Sequence, residues 1–132
     1  MKYLTIDQVI HIHDKTIKKI GGMQGLRDRS LLESAISSPM TTIFQKEMYP
    51  SVIEKGACYL FSICKNHPFL DGNKRTATIC CLIFLRQNGE RVFYNKKEFE
   101  DFVCNLAESK IDRGSVVLFL REKCIDQEVH RK

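Results

Sequence analysis

The chain has 132 residues, 43% of them apolar, with eight phenylalanines and no tryptophan. This excludes intrinsic disorder and fits a single domain able to bury roughly two-thirds of the surface its unfolded chain exposes. Lysine plus arginine exceed aspartate plus glutamate by 21 to 16, a formal charge of +5, but the basic residues are dispersed rather than gathered into a track, so nucleic acid is not an expected partner. Met1 to Asp7 lacks the pattern of a signal peptide, and no apolar run approaches the roughly 20 residues that cross a bilayer, so a soluble cytoplasmic protein with no membrane contact is expected. The six cysteines lack zinc-knuckle spacing and mostly occupy apolar periodic positions, which reads as reduced core thiols.

A first helix is predicted over about Thr5 to Lys19. Ile6, Val9, Ile10, His13 and Ile17 form its apolar stripe, Thr5 with Gln8 its capping box, and Gly21-Gly22 its stop. Ser30 and Glu33 predict the start of a short helix carrying Leu31, Leu32, Ala35 and Ile36, closed by Pro39. Met40 to Tyr49 is a poor helix, and its Thr41, Thr42, Ile43 and Phe44 read as extended, forming a small hairpin or flap on the surface. Pro50, Ser51 and Glu54 then mark a helix running to about Lys65, with small residues at Gly56 and Ala57 that predict close approach of a neighbouring helix. After a break at Asn66 to Gly72, a helix over Asn73 to Gln87 is apolar nearly all round, the pattern of an element at the centre of a bundle. Arg91 to Tyr94 reads as extended. Asn95 with Glu98 opens a further helix, and Asp112 or Ser115 opens the last. The expectation is an all-α, single-domain antiparallel helical bundle over residues 1–126, with a short extended flap and a polar tail over 127–132.

Chemistry concentrates in the break between the two most apolar helices, His67-Pro68-Phe69-Leu70-Asp71-Gly72-Asn73-Lys74-Arg75-Thr76-Ala77. Buried structure on both sides fixes such a loop. Gly72 and Asn73 open a helix whose first N–H groups have no partner within it; those donors and the helix dipole suit a phosphate, and Lys74 and Arg75 add formal positive charge. Asp71 beside this nest would repel phosphate unless a hard cation such as magnesium lay between them. His67 can serve as general base near neutral pH, and Phe69 can point into the core and hold the loop.

This segment resembles the signature of the Fic/Doc family, in particular its death-on-curing branch. In that branch a histidine, an aromatic, an acidic residue and an Asn-Lys-Arg-Thr-Ala run recur at this spacing. The similarity extends to His13-Asp14, Gly21-Gly22, Leu31 to Ile36 and Phe84-Leu85-Arg86-Gln87-Asn88-Gly89, covering about Leu4 to Cys124. The resemblance implies the Fic/Doc helical fold and a reaction on ATP. His67 would activate a hydroxyl of a protein target, Phe69 would anchor the motif, Asp71 would bind Mg2+, and Asn73 and Arg75 would hold phosphate oxygens. Fic relatives mostly transfer AMP. The death-on-curing branch is similar in fold but implies a reversed nucleotide, transfer of the terminal phosphate, and an elongation factor as target.

Two departures from the AMP-transferring pattern favour the kinase-like outcome: Lys74 in place of a glycine and Thr78 in place of a second arginine. Gly72 is the residue of the AMP-transferring motif, where death-on-curing relatives often have alanine, so AMP transfer remains the alternative. The inhibitory helix motif of many relatives, Ser or Thr followed four residues later by Glu and then Gly or Asn, is not found. The implied inhibitor is a small antitoxin supplied in trans, with an acidic segment suited to this basic domain. The Met40 to Tyr49 segment is expected to position the target chain beside His67 through the extended backbone of Thr41 to Phe44, the alternative being a surface connection with no contact to substrate. Two other classes remain open: a non-catalytic interaction module, and a phosphohydrolase built on His13-Asp14, which lacks a matching second metal-ligand pair.

Overall fold

A computed structural model describes residues 1–130, without the side chains of 125–130. Six α-helices follow in chain order: α1 (Ile6–Ile20), α2 (Arg29–Ser37), α3 (Val52–Asn66), α4 (Asn73–Gln87), α5 (Lys96–Ala107) and α6 (Arg113–His130). A 3-10 turn, Ser38–Met40, and a two-stranded hairpin, β1 (Thr42–Ile43) and β2 (Lys46–Glu47), connect α2 to α3. The strands pair antiparallel, Thr42 opposite Glu47 and Ile43 opposite Lys46, which is the expected flap. The polar tail foreseen at 127–132 lies at the limit of the described residues, the backbone being followed to His130.

Local signals set most helix starts. Thr5 caps α1 and Ser51 caps α3, each in a reciprocal capping box, with Gln8 and Glu54 respectively. Asn95 caps α5 by accepting from the Glu98 amide. The start of α2 differs from expectation. Asp28, not Ser30, is its cap, and the Asp28 carboxylate accepts from the Ser30 and Leu31 amides at 2.9 and 3.3 Å and from the Ser30 hydroxyl at 2.6 Å. An anionic acceptor at the positive end of a helix outcompetes a neutral hydroxyl. The same bonds, the Ser30 hydroxyl foremost, hold the Asp28 carboxyl below its usual range. Pro39 does not end the chain's helical course abruptly; it enters the 3-10 turn.

The centre of the bundle is α3, not α4. It packs against α2, α4, α5, α6 and the 3-10 turn, and residues 55–60 and 62–64 are all buried. By contrast Ile83 of α4 is exposed, because α4 leaves one side to solvent where the sequence pattern alone shows only apolar residues. The α3–α4 crossing is close at Gly56, where an added Cβ would come within 2.7 Å of Leu85 Cδ2. Tyr59, Leu60, Ile63, Phe69, Phe84, Leu85, Phe99 and Leu120 form one core with Leu4 and Leu32. Cys58, Cys64, Cys80 and Cys81 are buried free thiols, as their periodicity implies, while Cys104 is exposed.

Candidate active site

The loop between α3 and α4 begins with a left-handed bend. His67, the C-cap of α3, sits at φ 52°, ψ 56°, a conformation that a residue with a Cβ adopts at a cost of about 1–2 kcal/mol. External groups hold it there. Arg27 donates from Nε to the His67 carbonyl at 2.7 Å and from Nη2 to the Asn66 carbonyl at 2.8 Å. The backbone before α2 pairs with the loop like a short strand: the Arg27 and Asp28 amides donate to the Pro68 carbonyl at 2.7 and 3.1 Å, and the Leu70 amide donates to the Gly25 carbonyl at 3.1 Å. Leu26 and Phe69 form the bridge between them. The Asn66 side-chain amide donates to the Leu31 carbonyl at 2.9 Å, joining the end of α3 to α2.

Deeper in the loop, Phe69 is buried and stacks on His13 of α1, with ring centroids 3.8 Å apart and planes 6° from parallel. His13 Nε2 donates to the Asp71 carbonyl at 2.7 Å; since a carbonyl only accepts, this nitrogen carries the proton. His13 therefore ties α1 to the loop through its ring. Among the described residues no group of three or more His, Cys, Asp or Glu is arranged around a metal position. Asn73 is likewise committed. Its side-chain oxygen accepts from the Phe69 amide and its nitrogen donates to the Phe69 carbonyl, both at 2.9 Å. What Asn73 can offer an anion is its backbone N–H, because its buried amide closes the loop instead.

The groups left over all face one cleft of about 770 Å³, lined by His67, Asp71, Gly72, Asn73, Lys74, Arg75 and Thr78 on one side and by Tyr94, Phe99, Glu100, Val103 and Cys104 on the other. That volume is ample for a nucleotide-sized ligand. Gly72 caps α4 at φ 77° without any side-chain hydrogen bond, so the first amides of α4 remain open to an anion. His67, Lys74 and Arg75 are exposed. Lys74 Nζ reaches to 3.9 Å from Cys104 Sγ, crossing from α4 to α5. One carboxylate oxygen of Asp71, Oδ2, accepts from the Met23 amide at 2.9 Å, which leaves the other available. Gly22 packs against this carboxylate, where an added Cβ would come within 3.3 Å of Asp71 Cβ.

The flap residues Thr41, Thr42, Ile43 and Phe44 are not among the cleft residues. They stand on the hairpin, where Phe44 is 94% exposed and, with Gln45, takes a positive φ at the tip. Lys55 secures the base of the hairpin. Its buried ammonium donates to Glu47 Oε1 at 2.9 Å and to the Pro39 carbonyl at 3.0 Å; burial alone would lower its pKa, but the Glu47 carboxylate and the Tyr3 side chain outweigh that and raise it. Lys55 lies twelve residues before His67 on α3, about 18 Å along the axis. Sequence reasoning missed Arg27, Lys55 and the α5 wall. Phe99 and Val103 carried a signal, but an i, i+4 apolar pair reads equally as core.

The fold and site together define a helical domain that mounts a histidine, a carboxylate and an uncapped helix start on one loop, and comparison identifies its family. The chain belongs to the Fic/Doc family, whose model, described as "Fic/DOC family", matches residues 3–85. It is 33% identical over 121 residues to "Protein kinase doc" of Escherichia phage P1, covering 92% of this chain and 94% of that protein. It is 34% identical over 98 residues to "Toxin Doc" of Mycolicibacterium smegmatis (strain ATCC 700084 / mc(2)155), covering 73% and 75%. The all-helical architecture agrees with this membership. Among the described residues, no helix is long and apolar enough to cross a membrane.

Proposed function

We propose that this protein is a toxin-like kinase that transfers the terminal phosphate of ATP to a hydroxyl of a protein target, with a translation elongation factor as the target and a small antitoxin as its inhibitor in trans. The observation that carries the reading is the uncapped start of α4 opening onto the cleft beside the free imidazole of His67. The helix-start amides, with Lys74 and Arg75, bind and orient phosphate oxygens. His67 takes the proton of the target hydroxyl as its oxygen bonds to the γ-phosphorus, and the bond to the β-phosphate oxygen breaks to release ADP. The similarity to a protein named a kinase supports the choice of phosphate, and the name of the second relative supports the toxin role and hence an antitoxin.

Mg2+ fits the donor set. A single carboxylate with one free oxygen, next to a phosphate nest, suits a cation that prefers one or two carboxylates plus substrate phosphates. When bound, it would neutralise charge on the phosphates. Asp71 is the residue that would hold it.

The position of Lys74 favours phosphate over AMP transfer. Its side chain reaches across the cleft to α5, through space that a glycine at this position would leave open, and there its ammonium can meet phosphate oxygens as a point charge. Incubation with γ-labelled and with α-labelled ATP, followed by intact-mass analysis of the acceptor, tests this. An adduct of about 80 Da from the γ label is the expected outcome, whereas a His67-dependent adduct of about 329 Da would establish AMP transfer instead. If neither adduct appears while a partner chain still binds, the protein is a non-catalytic interaction module.

A further inference from the structure

The His67 imidazole makes no hydrogen bond with the described residues, although the proposed reaction requires it to be aimed at a hydroxyl. With no partner on the ring, its direction is set by the His67 backbone and the bend that this backbone adopts. The His67 amide is already used, donating to the Ile63 carbonyl at 3.2 Å as the last turn of α3 closes. Its carbonyl, and that of Asn66 before it, have one side-chain donor between them: the guanidinium of Arg27, forty residues away in sequence. The backbone pairings of 25–28 with 68–70 hold the loop after His67, not His67 itself.

We propose that Arg27 is a positioning residue for this reaction, its two-pronged grip on the Asn66 and His67 carbonyls fixing the left-handed bend from which the His67 imidazole faces the cleft. The inference rests on the reading of His67 as the base. A guanidinium suits this role for three reasons: it is planar, it carries donors at the fixed spacing of two successive carbonyls, and its charge lies at the negative end of α3. A lysine would be a point donor able to satisfy one carbonyl at a time.

The test compares Arg27→Ala, Arg27→Lys and Asp28→Ala, the last removing the neighbouring helix cap while leaving the Arg27 side chain in place. Initial rates of label transfer from γ-labelled ATP into the proteins of a host-cell lysate give an apparent rate and an apparent KM for ATP. Displacing a catalytic group by about an ångström lowers turnover on the order of 100-fold. Arg27→Ala is therefore expected to lower the maximal rate by roughly 10- to 100-fold with KM for ATP changed by no more than about threefold. Arg27→Lys falls between, and millimolar guanidinium ions restore part of the rate to Arg27→Ala but none to His67→Ala. A loss no greater than that of Asp28→Ala at an equal fall in Tm, with no rescue, would overturn the proposal, as would a rise in KM at unchanged maximal rate, which makes Arg27 a substrate ligand. The Cε1–H resonance of His67 provides a reading independent of turnover. It is expected to be single and sharp in the native protein and broadened or doubled in Arg27→Ala. An unchanged resonance overturns the positioning role, whereas a native protein that labels nothing, with the resonance altered in the variant, refutes only the kinase reading.

Discussion

Replacing Gly72 by alanine probes the joint between the loop and α4, and the structure separates its cost into two parts. The first is conformational: Gly72 sits at φ 77°, where an L-residue costs about 1–2 kcal/mol. The second is steric. The new Cβ would lie 2.8 Å from Ile17 Cδ1, so the methyl must retreat by about 0.7 Å to reach normal contact. Cδ1 is the free end of a side chain, and one off-rotamer torsion relieves the overlap for about 0.5–1.5 kcal/mol. The sum, about 1.5–3.5 kcal/mol, is borne mainly by the backbone and leaves a domain of typical stability folded. Urea and thermal unfolding of Gly72→Ala, Ile17→Val and the double variant form the assay, with a Tm loss of roughly 6–14 °C expected for the first. Ile17→Val removes Cδ1 at its own cost of about 0.5–1.5 kcal/mol, so in the double variant only the steric part should disappear, giving a favourable coupling of about 0.5–1.5 kcal/mol. Complete rescue would show that position 72 carries no backbone strain. Strict additivity would show that the contact with Ile17 is irrelevant.

His67→Ala should leave circular dichroism and nucleotide affinity nearly unchanged, because the side chain is exposed, while lowering transfer by about 100-fold or more; a native rate would remove His67 as the base. Asp71→Asn should weaken ATP binding measured by calorimetry only when magnesium is present, and equal affinities in all four combinations would refute its role as cation holder. Lys55→Met should cost about 1–3 kcal/mol, chiefly through the stranded Pro39 carbonyl, and should speed hydrogen exchange at the Met48 amide, which donates to the Thr41 carbonyl across the hairpin. Unaltered exchange there would mean that Lys55 does not secure the flap. At pH 8 a thiol-specific alkylating reagent should modify Cys104 first, since Cys104 is exposed. Burial pushes the Cys64 thiol up to about 12, leaving a thiolate fraction on the order of one in ten thousand. Peptide mapping checks the order, and saturating ATP should slow labelling of Cys104 if the nucleotide fills the cleft that it lines.

Features written within one helical turn were legible in the sequence. The boxes Thr5–Gln8 and Ser51–Glu54, and the Asn95 cap, depend on residues three apart, and each lies where its spacing puts it. The cap of α2 was misassigned because Ser30 and Asp28 are both good caps, and only their shared contact reveals that the hydroxyl donates to the carboxylate. Similarly, α4 carries more consecutive apolar side chains than a partly exposed helix needs, so periodicity could not show that α3 is the enclosed element. The site residues of one short motif were legible as a set, and the cleft gathers them. Asn73 shows the limit of residue type as a guide: its amide chemistry suits a phosphate or a loop closure equally, and the 2.9 Å bonds to Phe69 decide for closure. Arg27 and Lys55 were invisible because their partners are distant in sequence or are backbone carbonyls, which every residue possesses.

The loop divides its polar groups into those spent on its own shape and those left free in the cleft. The Asn73 amide, the His13 ring, the Arg27 guanidinium and one oxygen of Asp71 are all spent on the loop's own shape. They tie the segment to α4, to α1 and, at Met23 and Arg27, to the connection between α1 and α2. Four such ties to three parts of the fold leave the loop little freedom, so the groups not spent are held in place without being neutralised. Those are the His67 imidazole, the second Asp71 oxygen, the opening amides of α4 and the charges of Lys74 and Arg75. A stable fold normally pairs its buried polar groups internally. Here the groups left without a protein partner are exposed in a single cleft; on the proposed reading they would supply a base, an acceptor and several anion-binding donors, and that combination, rather than any one residue of the motif, is what phosphoryl transfer demands. It also follows that substitutions in the supporting set and in the free set should have different signatures. Losing a tie should lower stability and turnover together, while losing a free group should lower turnover alone.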